Sequence, residues 1–210
     1  MDYNQQQYGP PRRGFLSANL IWIVPLALIL IMGLGFMGSY NRINTKDEAV
    51  NNAWGDVEST LQRRSDLIPN LVNVVKGYAE HERETLNNVV TARAQATQMR
   101  APDLSDPAAM ERFQASQAAV GSALSRLMAI AENYPDLKAN QNFLDLQHQL
   151  EGTENRINVA RTRYNGAVGE LNKAIRVIPG KFINDWFLQL KPRVYFKADE
   201  GAQAAPKVEF

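Results

Sequence analysis

The chain has 210 residues, no cysteine, and a formal net charge of +1 from 23 basic and 22 acidic side chains. Because no basic surplus exists to neutralise phosphates, we do not expect nucleic acid as a partner. The lack of cysteine excludes disulfides, thiolate metal ligands and a cysteine nucleophile. Without the apolar stretch near the N-terminus, about 170 residues remain, enough for one domain with its own core.

The N-terminal region divides into a polar tail and a long apolar segment. Residues 1–15 are rich in Gln and Pro, so we expect a disordered tail. Residues 16–39 carry no charge, and a helix of about 18 of them spans roughly 27 Å, close to the thickness of a hydrocarbon core. Trp22 and Tyr40 lie near its two ends, as interfacial aromatic residues do. We therefore predict a transmembrane helix over residues 16–39 in contact with the lipid bilayer, rather than a cleaved signal.

The charges that flank this segment give its orientation only weakly. Arg12 and Arg13 precede it, and Arg42 and Lys46 follow it. A short tail with adjacent arginines favours a cytoplasmic N-terminus, so we expect the following domain on the extracytoplasmic side. Small residues four apart within the segment would also permit two spans to pack closely, so a homo-oligomer is a hypothesis.

Residues 40–180 repeat apolar side chains at steps of three and four, the spacing of a buried seam on a helix. The clearest seam lasts five heptads and is followed by Pro179 and Gly180, which predict the end of the helix. We expect the polar residues between the seam positions to face water. The seam consists of Phe143, Leu146, Leu150, Thr153, Ile157, Ala160, Tyr164, Ala167, Leu171, Ala174 and Ile178.

Capping signals divide residues 40–180 into four helices. Asp106 as N-cap and Pro107 at the first helical position predict one helix start. Another cap, Asp66, predicts a turn at Ser65–Pro69, and the alternative is a kinked continuous helix, which would leave a three-helix bundle. Since short loops make neighbouring helices antiparallel, the predicted fold is all-α: an N-terminal transmembrane helix followed by an antiparallel up-and-down four-helix bundle. The predicted helices are Asn41–Arg64, Leu67–Arg100, Pro107–Asn133 and Leu137–Ile178.

The sequence offers little that resembles catalytic chemistry. A di-iron bundle needs two Glu-x-x-His pairs, whereas the residue three positions before His148 is Asp145 and the residue three positions before His81 is Tyr78, which is not a carboxylate. The glutamates around His81 are expected to form ion pairs. HExxH, GxSxG and Walker A motifs are absent from the sequence. We therefore predict no catalytic, cofactor-binding or metal-binding residue and no enzymatic activity.

Residues 181–210 are expected to form an apolar flap followed by an extended tail. Lysines flank the flap, and its apolar residues at positions 183, 186, 187 and 190 share one face of a helix. The simplest interpretation is that it closes one end of the bundle. The functional interpretation is an exposed patch for a protein partner or for the lipid interface. This C-terminal patch consists of Phe182, Ile183, Trp186, Phe187 and Leu190.

Three blocks of the chain resemble the LemA family: AWGDVESTLQRRSDLIPNLVNVVKGYAEHERETL (Ala53–Leu86), YPDLKANQNFLDLQHQLEGTENRINVARTRYNGAV (Tyr134–Val168) and APKVEF (Ala205–Phe210). The resemblance implies a single-pass protein with an N-terminal anchor and a four-helix bundle, in the cytoplasmic (inner) membrane of a bacterium. It implies no catalytic or cofactor residues, and it leaves the molecular function undefined.

Two functional hypotheses follow. The first is a non-enzymatic interaction or scaffold module in bacterial envelope or membrane organisation, which would bind an unidentified membrane or envelope protein through the C-terminal patch. The second is a bundle that binds a ligand or metal and senses an envelope condition. It would need a polar cavity in the core around Glu82, Gln117 and Thr153.

Overall fold

A computed structural model describes residues 15–99 and 102–197. Within these ranges all regular secondary structure is helical, and residues 190–197 are extended without pairing into a strand. The all-α prediction is confirmed. Except for Phe15, which begins α1, the tail predicted over residues 1–15 lies outside the described residues, as do residues 198–210. The elements are α1 (Phe15–Lys76), α2 (Arg83–Gln98), α3 (Pro107–Ala131), α4 (Pro135–Lys138), α5 (Gln141–Ala174), α6 (Gly180–Ile183) and a π-helical turn (Asn184–Leu188).

Helix α1 is one uninterrupted helix of 62 residues, about 93 Å long at a rise of about 1.5 Å per residue. Its apolar part from Trp22 onwards is long and apolar enough to cross a membrane, and none of it is buried within the protein. The part from Ile43 onwards places a regular series of buried residues against α5. The same helix therefore carries both the exposed apolar segment and one wall of the bundle.

The turn predicted at Ser65–Pro69 is wrong, because α1 continues through both residues. Proline lacks the N–H that would bond to the carbonyl four residues earlier, which for Pro69 is the carbonyl of Ser65. The Nε of Arg93 on α2 donates to this carbonyl oxygen at 2.8 Å. A side chain from the neighbouring helix thus replaces the missing backbone donor, so the alternative of a continuous helix is correct.

The first reversal of the chain lies instead at residues 77–82. Gly77 and Tyr78 donate to the carbonyls of Val74 and Val75, three residues back, which tightens the end of α1. Glycine favours such an ending because it is a poor helix former. Ala79 is buried and closes this end of the core. The predicted helix Leu67–Arg100 is therefore divided between α1 and α2, and the bundle still has four long helices.

Helix α5 is shorter at both ends than the predicted helix Leu137–Ile178. The side chain of Asn140 caps its start by accepting from the N–H of Phe143 at 3.1 Å. The helix ends at Ala174, and Ile178 is 72% exposed, so this last predicted seam residue is not part of the core. From Phe143 to Leu171 the predicted seam is confirmed as the buried or half-buried face of α5.

Long helices α1, α2, α3 and α5 alternate in direction. Ion pairs Lys46–Glu170 and Arg64–Glu154, both at 3.2 Å, show that α1 and α5 are antiparallel. Two clusters of buried residues lie along them. The distal core, far from the apolar segment, contains Ile68, Leu71, Val75, Ala79, Leu86, Val89, Val120, Leu127, Leu137, Phe143 and Leu150. The proximal core, next to the apolar segment, contains Ile43, Val50, Trp54, Val57, Met110, Phe113, Tyr164, Val168, Leu171, Ile183 and Phe196.

The two cores are enclosed differently because α2 is short. It has 16 residues, about 24 Å, whereas α5 has 34, about 51 Å. No residue of α2 belongs to the proximal core. An extended segment, residues 190–197, covers that core in its place, with Val194 and Phe196 packed inward.

Candidate functional site

Three asparagine side chains hold the C-terminal segment in place. Each amide donates to a backbone carbonyl of the segment and accepts from the N–H of the same residue, as a neighbouring strand would. Asn172 and Asn184 are buried, so these bonds satisfy groups that water cannot reach. The pairs are Asn165 with Phe196 (3.1 and 2.8 Å), Asn172 with Arg193 (both 2.9 Å) and Asn184 with Leu190 (3.1 and 2.9 Å).

Phe196 fills the proximal core with its ring. The centroid of this ring lies 5.3 Å from that of Tyr164 and 6.0 Å from that of Trp54. The guanidinium carbon of Arg161 lies over the Phe196 ring, 4.8 Å from its centroid. The Tyr164 hydroxyl donates to the carbonyl of Val194 at 3.0 Å. Burial raises the pKa of the Tyr164 phenol to about 12, although nearby Arg193 acts to lower it. The phenol therefore stays protonated, and able to donate, at physiological pH.

Sequence reasoning missed these asparagines and assigned the polar residues between seam positions to water. Asn165 and Asn172 are seven residues apart, so they repeat on one face of α5 as the seam does. That regular spacing was the available signal. Its meaning depends on the extended segment 30 residues further on, which a pattern within one helix does not reveal.

The C-terminal patch predicted from sequence divides into two faces. Ile183 is buried in the proximal core and Leu190 is half-buried against it, so these two residues close the end of the bundle. Phe182, Trp186 and Phe187 are 57%, 77% and 64% exposed. We call these last three residues the aromatic face.

The aromatic face lies beside the end of the apolar part of α1. The ring of Phe187 meets that of Phe36 edge-on, with centroids 5.1 Å apart. Gly180 lies close to the end of α5 and to α1. A Cβ at this position would lie 2.1 Å from the carbonyl oxygen of Ala174 and 3.4 Å from Cδ1 of Ile43. The missing side chain lets α6 pack directly against α1 and the end of α5.

Arg64 forms a buried polar centre between the two cores. Its Nη1 lies 3.2 Å from Oε2 of Glu154 on α5, and its Nη2 donates to Oε1 of Gln117 on α3 at 2.6 Å. The Arg64 residue is only 5% exposed. Burial lowers the pKa of the guanidinium, while Glu154 acts in the opposite direction. Arg64 therefore joins α1, α3 and α5 through one cation.

Two cavities flank Arg64. One, of about 380 Å³, lies among α1, α2 and α3, and the Ser65 hydroxyl in its wall is buried without a hydrogen-bond partner among the described residues. The other is a groove of about 900 Å³ between α3 and α5, with Leu61 and Arg64 of α1 in its floor. Half of the ten α3 residues that line the groove have small side chains, namely Ala115, Ala118, Gly121, Ser122 and Ser125, and the other half are large, namely Glu111, Phe113, Gln114, Gln117 and Arg126.

The other polar residues considered from sequence are not brought together. Glu82 accepts from the Tyr134 hydroxyl at 3.1 Å near the distal end, whereas the buried Thr153 donates to the carbonyl of Gln149 within α5. His148 is exposed beside Glu151. Over residues 15–99 and 102–197, no three His, Cys, Asp or Glu residues are grouped closely enough to hold a metal ion.

The LemA family model matches residues 53–210, three quarters of the chain. The chain belongs to the LemA family. The resemblance in the three sequence blocks is thereby confirmed. For this LemA protein the match includes the bundle helices from Ala53 of α1 onwards, the asparagines that hold the C-terminal segment and the aromatic face. The apolar part of α1 precedes it.

Several curated relatives of this LemA protein are described as magnetosome proteins. Magnetosome protein MamQ of Magnetospirillum gryphiswaldense is 22% identical over 192 residues, which cover 83% of this chain and 71% of the relative. Magnetosome proteins MamQ 1 and MamQ 2 of Paramagnetospirillum magneticum are 21% identical over the same coverage.

Proposed function

We propose that this LemA protein is a non-enzymatic scaffold, anchored in a bacterial cytoplasmic membrane by one span, whose bundle docks a helix of a membrane or envelope protein. The observation that carries the proposal is the continuity of α1. From Tyr40 to Lys76 the helix extends about 55 Å beyond the apolar segment. Because α5 is packed along this part, the bundle would keep a fixed direction relative to the bilayer.

The groove between α3 and α5 supports a helical partner. Small residues on its α3 wall would let another helix approach closely, and Leu61 in the floor would provide apolar contact. Confinement to a membrane raises the effective concentration of a partner, so modest affinity suffices. The extracytoplasmic orientation expected from the flanking arginines is part of the proposal, and relatives named for the magnetosome support a bacterial setting.

Photo-crosslinking from two adjacent alanines tests this docking surface. Ala118 lines the groove, whereas Ala119 is exposed on the same helix outside the groove lining. With a photoreactive amino acid at either position in the full-length protein in its native membrane, we expect a discrete adduct from position 118 and little from 119. An adduct between two copies would identify the partner as a homo-oligomer. Equal labelling from both positions would contradict the groove as the docking surface.

The cavity beside Arg64 favours a second candidate function, binding of a small polar ligand. Arg64 supplies a buried cation beside the cavity, and the Ser65 hydroxyl, which has no hydrogen-bond partner among the described residues, could bond to such a ligand. Native mass spectrometry of the full-length protein released from detergent micelles, together with elemental analysis, distinguishes the two candidates. A stoichiometric bound molecule or metal would favour the ligand-binding function.

A further inference from the structure

We infer that the aromatic face (Phe182, Trp186 and Phe187) inserts into the headgroup region of the bilayer, as a second membrane contact beside the apolar part of α1. This inference rests on the membrane anchorage proposed above and assigns the face to lipid rather than to a protein. Its occupant is the same bilayer that surrounds the apolar segment.

The position of the face is the first argument. The contact between Phe187 and Phe36 places the π-helical turn level with the last residues of the apolar segment, which extends to Met37. All large side chains of that segment from Trp22 to Met37 are exposed. The aromatic face therefore continues one apolar surface, and a bilayer around the segment reaches it without any rearrangement of the protein.

The composition of the face is the second argument. Trp is enriched where a membrane meets water, Phe is common on the apolar face of helices that lie in that interface, and basic residues favour anionic headgroups. Exposed Arg176, Lys181 and Lys191 lie within about six residues of the aromatic side chains in the sequence, and Ile178, four residues before Phe182, is 72% exposed. Asp185 is the acidic residue of the turn, and Lys181 pairs with it at 2.6 Å.

The support beneath the face is the third argument. Ile183 and Asn184 are buried, and Asn184 bonds to both backbone groups of Leu190, so the turn is fixed from its inner side. The rings thus point outward from a rigid base. Two contacts with one bilayer, a span and the face beside it, would limit the tilt of the bundle.

Fluorophores attached at single cysteines test the inference, since the natural chain has none. The full-length variants Phe182→Cys, Val159→Cys and Ile29→Cys each receive an environment-sensitive dye. They are then reconstituted into phosphatidylcholine–phosphatidylglycerol vesicles containing spin-labelled lipids as quenchers. Val159 is the matched control, because it is 51% exposed on α5 but lies away from the face. Trp186→Cys replaces Phe182→Cys if circular dichroism shows that the latter does not fold.

We expect strong quenching at position 29, strong quenching by headgroup-labelled lipid at position 182, and several-fold weaker quenching at position 159. Quenching at position 29 but not at 182 would overturn the inference and leave the membrane anchorage intact. A blue-shifted but unquenched dye at 182 would also overturn it, because a second copy would then cover the face. Absence of quenching at position 29 would contradict the anchorage itself.

Discussion

The distal and proximal cores are built from the same two long helices, yet they are completed by different kinds of structure. Around the distal core, α2 and α3 supply apolar side chains from backbones that satisfy their own hydrogen bonds. Around the proximal core, an extended segment takes the place of α2, and its backbone groups need external partners. Asparagine amides, the Tyr164 hydroxyl and the carbonyl of Leu104 provide them.

This difference shows what a helical bundle requires where one helix ends early. Apolar area alone does not suffice, because a buried N–H or C=O without a partner costs about 1–3 kcal/mol. An asparagine side chain offers one donor and one acceptor, the same pair that a peptide group needs. The proximal core is therefore expected to depend on a few polar residues, whereas the distal core depends on apolar packing.

Removal of the Phe196 ring should produce the largest effect. Phe196→Ala deletes a buried ring in contact with Trp54 and Tyr164, so we expect a loss of about 3–5 kcal/mol in the free energy of unfolding. Urea titration of the full chain in detergent micelles, followed by circular dichroism, measures it. The neighbouring Tyr195 is 45% exposed, and Tyr195→Ala should change the stability by about 0.5 kcal/mol or less. Similar losses for both variants would show that the segment does not complete the core.

Loss of one asparagine amide should have the next largest effect. Asn172→Ala leaves the N–H and C=O of Arg193 without their partner, which should cost about 2 kcal/mol. Hydrogen exchange should then rise at the Arg193 amide, while the amides around the distal core keep their protection. Asn155→Ala, at an exposed position of the same helix, is the control. If exchange rises equally in both cores, the two regions are not separately stabilised.

The junction between the cores should show the smallest effect. Arg93→Ala removes the donor to the carbonyl of Ser65 and should cost about 1 kcal/mol. Pro69→Ala restores a backbone N–H at that carbonyl, so Arg93→Ala should cost clearly less in the Pro69→Ala background. A double-mutant cycle from urea unfolding gives the coupling energy. A coupling of zero would mean that Arg93 does not replace the missing donor.

Much of the fold follows from local patterns. The seam from Phe143 to Leu171 and the entry at Asp106 and Pro107 need only heptad spacing and capping chemistry, and the structure has both. The turn at Ser65–Pro69 was wrong because its outcome depends on Arg93, a residue 28 positions away that fills one hydrogen bond. Local propensity indicated that the helix would break there, but a tertiary hydrogen bond supplies the donor that proline lacks, and the helix continues.

The candidate site was predictable in part. A cluster of aromatic residues between lysines indicated a surface feature, but a single helical face could not describe it. The change to a π-helical turn at Asn184 separates Ile183 from Trp186 and Phe187. Arg64 carried no sequence signal as a buried residue, since its partners Gln117 and Glu154 lie on two other helices.

The ion pair between Asp47 and Arg193, at 2.9 Å, joins residues 146 positions apart and has a consequence for biosynthesis. A ribosome releases the apolar segment and Asp47 long before Arg193 is made. The core nearest the apolar segment therefore remains incomplete until almost the whole polypeptide has been translated. Nascent or prematurely terminated chains would expose Trp54, and chaperones and proteases could recognise such chains as unfinished.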